Sequence, residues 1–119
     1  MSFEKIDLPK RRKTYSAATP EGKVKNILRE FFDTHGVYYY MPVPGRFSRS
    51  GIADFVCCIR GRFFAIETKR EGQRATEAQL ADGNKVLESG GEFFVVAGEQ
   101  EAKGFIAKLK RDFVLREVL

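Results

Sequence analysis

Asp54, Glu67 and Lys69 interrupt two stretches, Ile52 to Ile59 and Arg62 to Lys69, that otherwise read as buried β-strand. A strand buried on both faces should be nearly all apolar and a half-solvated one should alternate, and these charges fit neither pattern. Arg60-Gly61 between the stretches is a hairpin signal, weaker than Asn-Gly. A two-residue turn there sets Ile59 opposite Arg62 and, continued outward, Asp54 opposite Glu67, with Lys69 on the same face and the three charges within about 7–8 Å. A slip of one residue would send Asp54 to the other face. Facing carboxylates repel, and one flanking lysine does not cancel two desolvated acids. A divalent cation is therefore the natural missing partner, and oxygen ligands favour Mg²⁺ or Mn²⁺ over zinc. The single histidine, His35, and the adjacent Cys57 and Cys58 cannot build a zinc cage, and they argue against Ser-His-Asp and histidine-dependent hydrolysis. A structural ion-pair cluster at a strand end is the competing reading of the same charges.

The elements that must hold this cluster are marked by caps and apolar periods. Thr19-Pro20-Glu21 supplies an N-cap hydroxyl, a proline at the first helical position and an early acid. Val24, Ile27, Leu28, Phe31 and Phe32 follow at helical spacing, and Gly36 ends the helix. Glu21 lies at the N-terminal edge of that stripe, where a first-turn acid also suits the helix dipole. Val37 to Met41 reads as a short aromatic strand, closed by Pro42-Val43-Pro44-Gly45. Tyr38, Tyr39 and Tyr40 within it alternate faces, so at least one is expected in the core. After the hairpin, Thr76-Glu77-Ala78-Gln79 fits a capping box, which by itself accounts for Gln79, and opens a helix of roughly fourteen residues stopped by Gly90-Gly91. Glu92 to Ala97 is a last strand and Glu101 to Asp112 a final amphipathic helix. Helix, three strands, helix, strand, helix is an α/β order.

A chain of 119 residues is expected to form one core, here residues 19–119 behind a flexible basic arm, residues 1–18, that carries Lys10, Arg11, Arg12 and Lys13. The net charge of +5 makes nucleic acid the leading partner class. Arg46, Arg49, Ser50, Arg70 and Arg74 surround the acidic cluster in sequence and are candidate DNA contacts. No apolar run reaches the ~20 residues of a membrane span, and no signal peptide is evident, so a cytoplasmic, reducing location is expected with both cysteines as small buried hydrophobes.

"SGIAD" (Ser50 to Asp54), "FFAIETK" (Phe63 to Lys69) and "TEAQ" (Thr76 to Gln79) together resemble the VRR-NUC domains, the virus-type replication-repair nucleases of the PD-(D/E)xK superfamily. The resemblance runs from about Thr19 to Gly98, and the element order is similar to that family's restriction-endonuclease-like α-β-β-β-α-β core, here followed by a C-terminal helix. Ala53 stands where the superfamily's name has proline, and Glu77 stands where proline is expected before the glutamine; neither change removes a reacting group. The resemblance implies Asp54 and Glu67 as metal ligands, with the backbone carbonyl of Thr68 completing the shell. It implies Lys69 as the catalytic lysine, Glu21 as the acid of the first helix, binding a second metal directly or through water, and Gln79 as the glutamine of the second helix. The number of metals is left open.

The activity so implied is a metal-dependent, structure-selective DNA endonuclease, hydrolysing phosphodiester bonds of branched DNA such as four-way junctions with Mg²⁺ or Mn²⁺. Paired cuts across a symmetric junction suggest a homodimer, with Phe113, Val114, Leu115, Val118 and Leu119 as apolar surface for it or for packing on their own domain. The alternative is a non-catalytic DNA-binding or DNA-end-recognising subunit of the same fold.

Overall fold

Thr19 opens the first helix as expected: its hydroxyl accepts the Gly22 N–H at 3.0 Å, and Pro20 occupies the first turn where no amide partner is missed. The computed structural model describes residues 14–45 and 49–118; Lys10, Arg11, Arg12, Lys13, Arg46 and Leu119 lie outside the described residues. Among the described residues the order is α1 (Pro20–Thr34), β1 (Tyr38–Tyr40), β2 (Phe55–Ile59), β3 (Arg62–Lys69), α2 (Glu77–Glu88), β4 (Glu92–Ala97) and α3 (Glu99–Phe113). Of the segment assigned to the arm, residues 14–18 are described, and Tyr15 is fixed against α1. Its hydroxyl donates to Asp33 Oδ2 at 2.7 Å, and the Arg29 guanidinium lies 4.8 Å over its ring.

The strands form one sheet in the order β1-β2-β3-β4, antiparallel except for the parallel β3–β4 pair, which α2 connects as a crossover. Phe55 faces Ile66 and Ile59 faces Arg62, the register set by the Arg60-Gly61 turn. That register puts Phe55, Cys57, Ile59, Phe64, Ile66 and Val96 on the face that α1 and α3 cover. The core there includes Phe32 and Phe55, each fully buried and each contributing about 1.5–3 kcal/mol by removal from water. α2 packs on β3 and β4 from the other side, so close that a Cβ on Gly83 would stand 2.4 Å from the Phe93 ring.

Because α2 covers the β3–β4 half of its face, no described helix covers the β1–β2 half. Tyr38 and Tyr40 are exposed there, beside an exposed Cys58, whereas Tyr39 packs inward on Phe32 at 5.1 Å. The expectation that both cysteines are buried thus holds for Cys57 alone. The C-terminal segment divides: Phe113 meets the Phe64 ring edge-on at 5.7 Å and Leu115 lies against the core, while Val114 and Val118 are exposed. No helix among the described residues is long and apolar enough to cross a membrane.

Candidate active site

The charged residues meet where β3 ends and β2 begins, beside the first turns of α1. The ladder starts at Phe55, one residue later than a facing Asp54–Glu67 pair requires, and Asp54 occupies a bend just before it. The reason is local: Asp54 Oδ2 accepts the Thr68 N–H at 2.9 Å and the Thr68 hydroxyl at 2.6 Å. A side-chain oxygen takes the place that a continuing strand's carbonyl would fill. Gly51 allows this turn. Its φ is +84°, and a Cβ there would fall 2.2 Å from the Ala78 carbonyl oxygen, so the loop bearing Asp54 rests directly on the first turn of α2.

Glu67 is 3% exposed, and its Oε2 has no hydrogen-bond partner among the described residues. Burial first, then the charge and hydrogen bond of Asp54, push its carboxyl up to about 8, with Lys69 pulling it down and Glu21 adding to the rise. Asp54, Lys69 and Glu21 are therefore all close enough to act on Glu67. Lys69 is half-buried at the end of β3, where its carbonyl accepts the Gly98 N–H at 2.9 Å.

Sequence reasoning missed Lys25. Its ammonium lies 2.9 Å from Glu21 Oε2 and 3.9 Å from Asp54 Oδ2, linking α1 to the strand end. The available signal was its spacing of one helical turn from Glu21, the favourable order for an acid and a lysine. Lys25 and Asp54 also line a cavity of about 520 Å³, walled by the Met41–Gly45 loop and by Arg49 to Ala53.

The remaining candidates divide. Gln79 Oε1 accepts the Thr76 N–H at 2.9 Å while Thr76 Oγ1 accepts the Gln79 N–H at 3.2 Å, so that oxygen serves the capping box. Arg49 is exposed, 3.6 Å from Asp82, and Ser50, Arg70 and Arg74 are exposed as well.

The donor set suits a hard divalent cation. A buried, unpartnered carboxylate oxygen lies beside a second carboxylate, and all the candidate ligands are oxygen. Among the described residues no three His, Cys, Asp or Glu side chains gather into one metal-binding group. An ion would thus draw on Asp54, Glu67, a backbone carbonyl and water, as Mg²⁺ commonly does.

A solved structure, a VRR_NUC domain, matches with a TM-score of 0.67 and 26% identity over 76% of this chain and 97% of that one. The fold is that of a VRR-NUC nuclease domain. Its mixed α/β core of four described strands and three described helices is a PD-(D/E)xK-like arrangement. No family model and no curated protein matches the chain.

Proposed function

We propose that this VRR-NUC domain is a Mg²⁺- or Mn²⁺-dependent endodeoxyribonuclease acting on branched DNA, four-way junctions included, with Asp54, Glu67 and Lys69 as its catalytic centre. The observation that carries the reading is the buried Glu67 carboxyl with an unpartnered oxygen, within reach of the charges of Asp54 and Lys69. A structural ion pair would satisfy that oxygen, whereas a metal ligand awaits its ion.

Asp54, Glu67 and the Thr68 carbonyl would hold the ion, with Glu21 at its margin. A divalent ion there supplies Lewis acidity, making water a stronger nucleophile and neutralising phosphate charge. Thr68 keeps the Asp54 carboxylate in one orientation through two hydrogen bonds. Lys69 orients the attacking water and sets a fixed positive charge beside the phosphorus as it gains a fifth oxygen. Water adds to phosphorus and gives up a proton to solvent, one P–O ester bond breaks, and the departing oxygen takes up a proton from solvent. Gln79 stiffens the helix end on which the Asp54 loop rests.

Arg49, Ser50, Arg70 and Arg74, together with Arg46 and the Lys10–Lys13 run of a basic arm, would track phosphates, giving affinity and register without sequence choice. A two-fold homodimer would deliver the paired cuts that a symmetric junction needs. A reducing, cytoplasmic setting agrees with Cys57 and Cys58 as free thiols.

The test is cleavage of labelled junction, flap and linear duplex DNA by the full chain, with Mg²⁺ and with chelator, alongside light scattering for the dimer. Metal-dependent cutting of the junction that Asp54→Asn abolishes is the expected result. Tight DNA binding with no cleavage in any metal would make the chain a non-catalytic recognition domain instead.

A further inference from the structure

We infer that Lys25 is a resident counter-cation of the acidic site, a positioning residue that yields its carboxylates to the divalent ion and turns to the DNA phosphate. The inference rests on the metal-dependent nuclease reading above, which uses Lys69 and assigns nothing to Lys25.

The geometry is specific. Glu21 and Lys25 are one turn apart on α1, and the lysine reaches past its helical partner to Asp54, 2.9 Å from one carboxylate and 3.9 Å from the other. Its side chain is only 24% exposed, so the ammonium is partly withdrawn from solvent and lies within ion-pair distance of both acids. Among the described residues it bridges the two acids that otherwise stand unneutralised beside the buried Glu67. A divalent ion held by Asp54 would compete for the same negative charge, so Lys25 would leave both acids and Glu21 would lose its ion pair.

The lysine also has somewhere to go. It lines the cavity of about 520 Å³ that Asp54 shares with Arg49 and Ser50. Swinging its four-carbon stem into that space would take the ammonium away from Glu21 and toward Arg49 and Ser50, the residues proposed above as phosphate contacts. A compact, freely rotating point charge suits this exchange better than a planar guanidinium fixed by a bidentate pair.

Direct Mn²⁺ binding to the full chain without DNA, followed by the loss of the free-ion resonance signal, separates this role from a purely structural one. Lys25→Met keeps the aliphatic stem and removes the competing charge. It should bind Mn²⁺ about tenfold more tightly than the parent chain, while Lys25→Arg stays near the parent value. At saturating Mn²⁺ the Lys25→Met variant should cut junction DNA more slowly, so that its metal requirement falls as its turnover falls. Lys25→Gln serves as a second neutral variant if Lys25→Met does not fold.

Equal or weaker Mn²⁺ binding by a folded neutral variant overturns the inference and leaves the nuclease reading standing. If neither the parent chain nor any variant binds Mn²⁺, the metal-dependent reading itself fails and this one falls with it. The Asp54→Asn chain shows that the Mn²⁺ measured is held at this site, since its affinity should drop below all the others.

Discussion

Asp54 is held by Thr68 of β3 through two hydrogen bonds to the same oxygen, Oδ2, of 2.9 Å from the amide and 2.6 Å from the hydroxyl. Thr68 is wholly buried, lying between Glu67 and Lys69 in sequence but with its side chain on the opposite side of the strand. One strand end thus presents a carboxylate and a lysine from one face, the two groups given to the proposed reaction, while its intervening residue holds the Asp54 carboxylate. Residues that orient a metal ligand matter nearly as much as the ligand itself.

Thr68→Val removes the hydroxyl and keeps shape and amide. We expect metal affinity and cleavage to fall about 10–100-fold, with about 1 kcal/mol lost from stability. Thr68→Ser should recover most of both. Calorimetric metal titration and single-turnover cleavage measure the effect, and a valine variant with unchanged metal affinity would refute the orienting role.

The Glu67 carboxyl sets a pH dependence of known sign. Burial and Asp54 raise it from an ordinary 4.5 to about 8. Between those values the folded chain holds a proton that the unfolded chain has lost, so stability is full below the lower value and declines as pH climbs through the upper one. The slope is at most about 1.4 kcal/mol per pH unit. Denaturant unfolding in chelator from about pH 5 to about pH 9 should show this decline, and Glu67→Gln should flatten it. Metal binding needs the carboxylate, so Mg²⁺ affinity should rise over the same range. A parent chain that grows more stable with rising pH in chelator would show the carboxyl is not held neutral.

Much of this architecture could be read from residue order. Thr19-Pro20 and Thr76 through Gln79 announce their helices because capping chemistry is local, and Arg60-Gly61 fixes the hairpin register because a two-residue turn leaves no slack. β2 starts later than the apolar pattern predicts because a side chain, Asp54, satisfies the amide that a strand would have paired, and apolar pattern does not register such substitutions. Lys25 was missed because its partner Asp54 lies on a distant segment, and helical period tells only which residues share a face. Tyr39 inward with Tyr38 and Tyr40 outward follows from alternation, but the exposure of Cys58 depends on how far α2 extends across the sheet.

Gly51 and Gly61 offer a paired test of how the Asp54 loop is seated. Both have positive φ, +84° and +83°, but a Cβ on Gly51 meets the Ala78 carbonyl at 2.2 Å, whereas one on Gly61 meets nothing within 4 Å. Gly61→Ala should cost only the left-handed backbone strain, about 1–2 kcal/mol. Gly51→Ala should cost clearly more and also displace Asp54, lowering cleavage along with stability. Comparing the two by thermal unfolding, and cleavage at a temperature where both are folded, checks it; equal losses in both would mean the loop is not packed on α2.

The last prediction concerns which ions support turnover. In the proposed site Asp54, Glu67, one carbonyl and water would be a small set of ligands, and among the described residues no three His, Cys, Asp or Glu side chains gather into a cage. Such a site leaves the ion's own geometry to position the water. Mg²⁺ and Mn²⁺ impose an octahedral shell, whereas Ca²⁺ accepts more ligands at longer and more variable distances. Ca²⁺ should therefore bind, support DNA binding and give no cleavage. Because Ca²⁺ occupies the same carboxylates, adding it to a Mg²⁺ reaction should inhibit competitively, and Lys69→Ala should bind both ions yet cut with neither. Cleavage in Ca²⁺ at a rate close to that in Mg²⁺ would show that the ion's shell does not set the reacting water, and the role would pass to Lys69 and the protein around it.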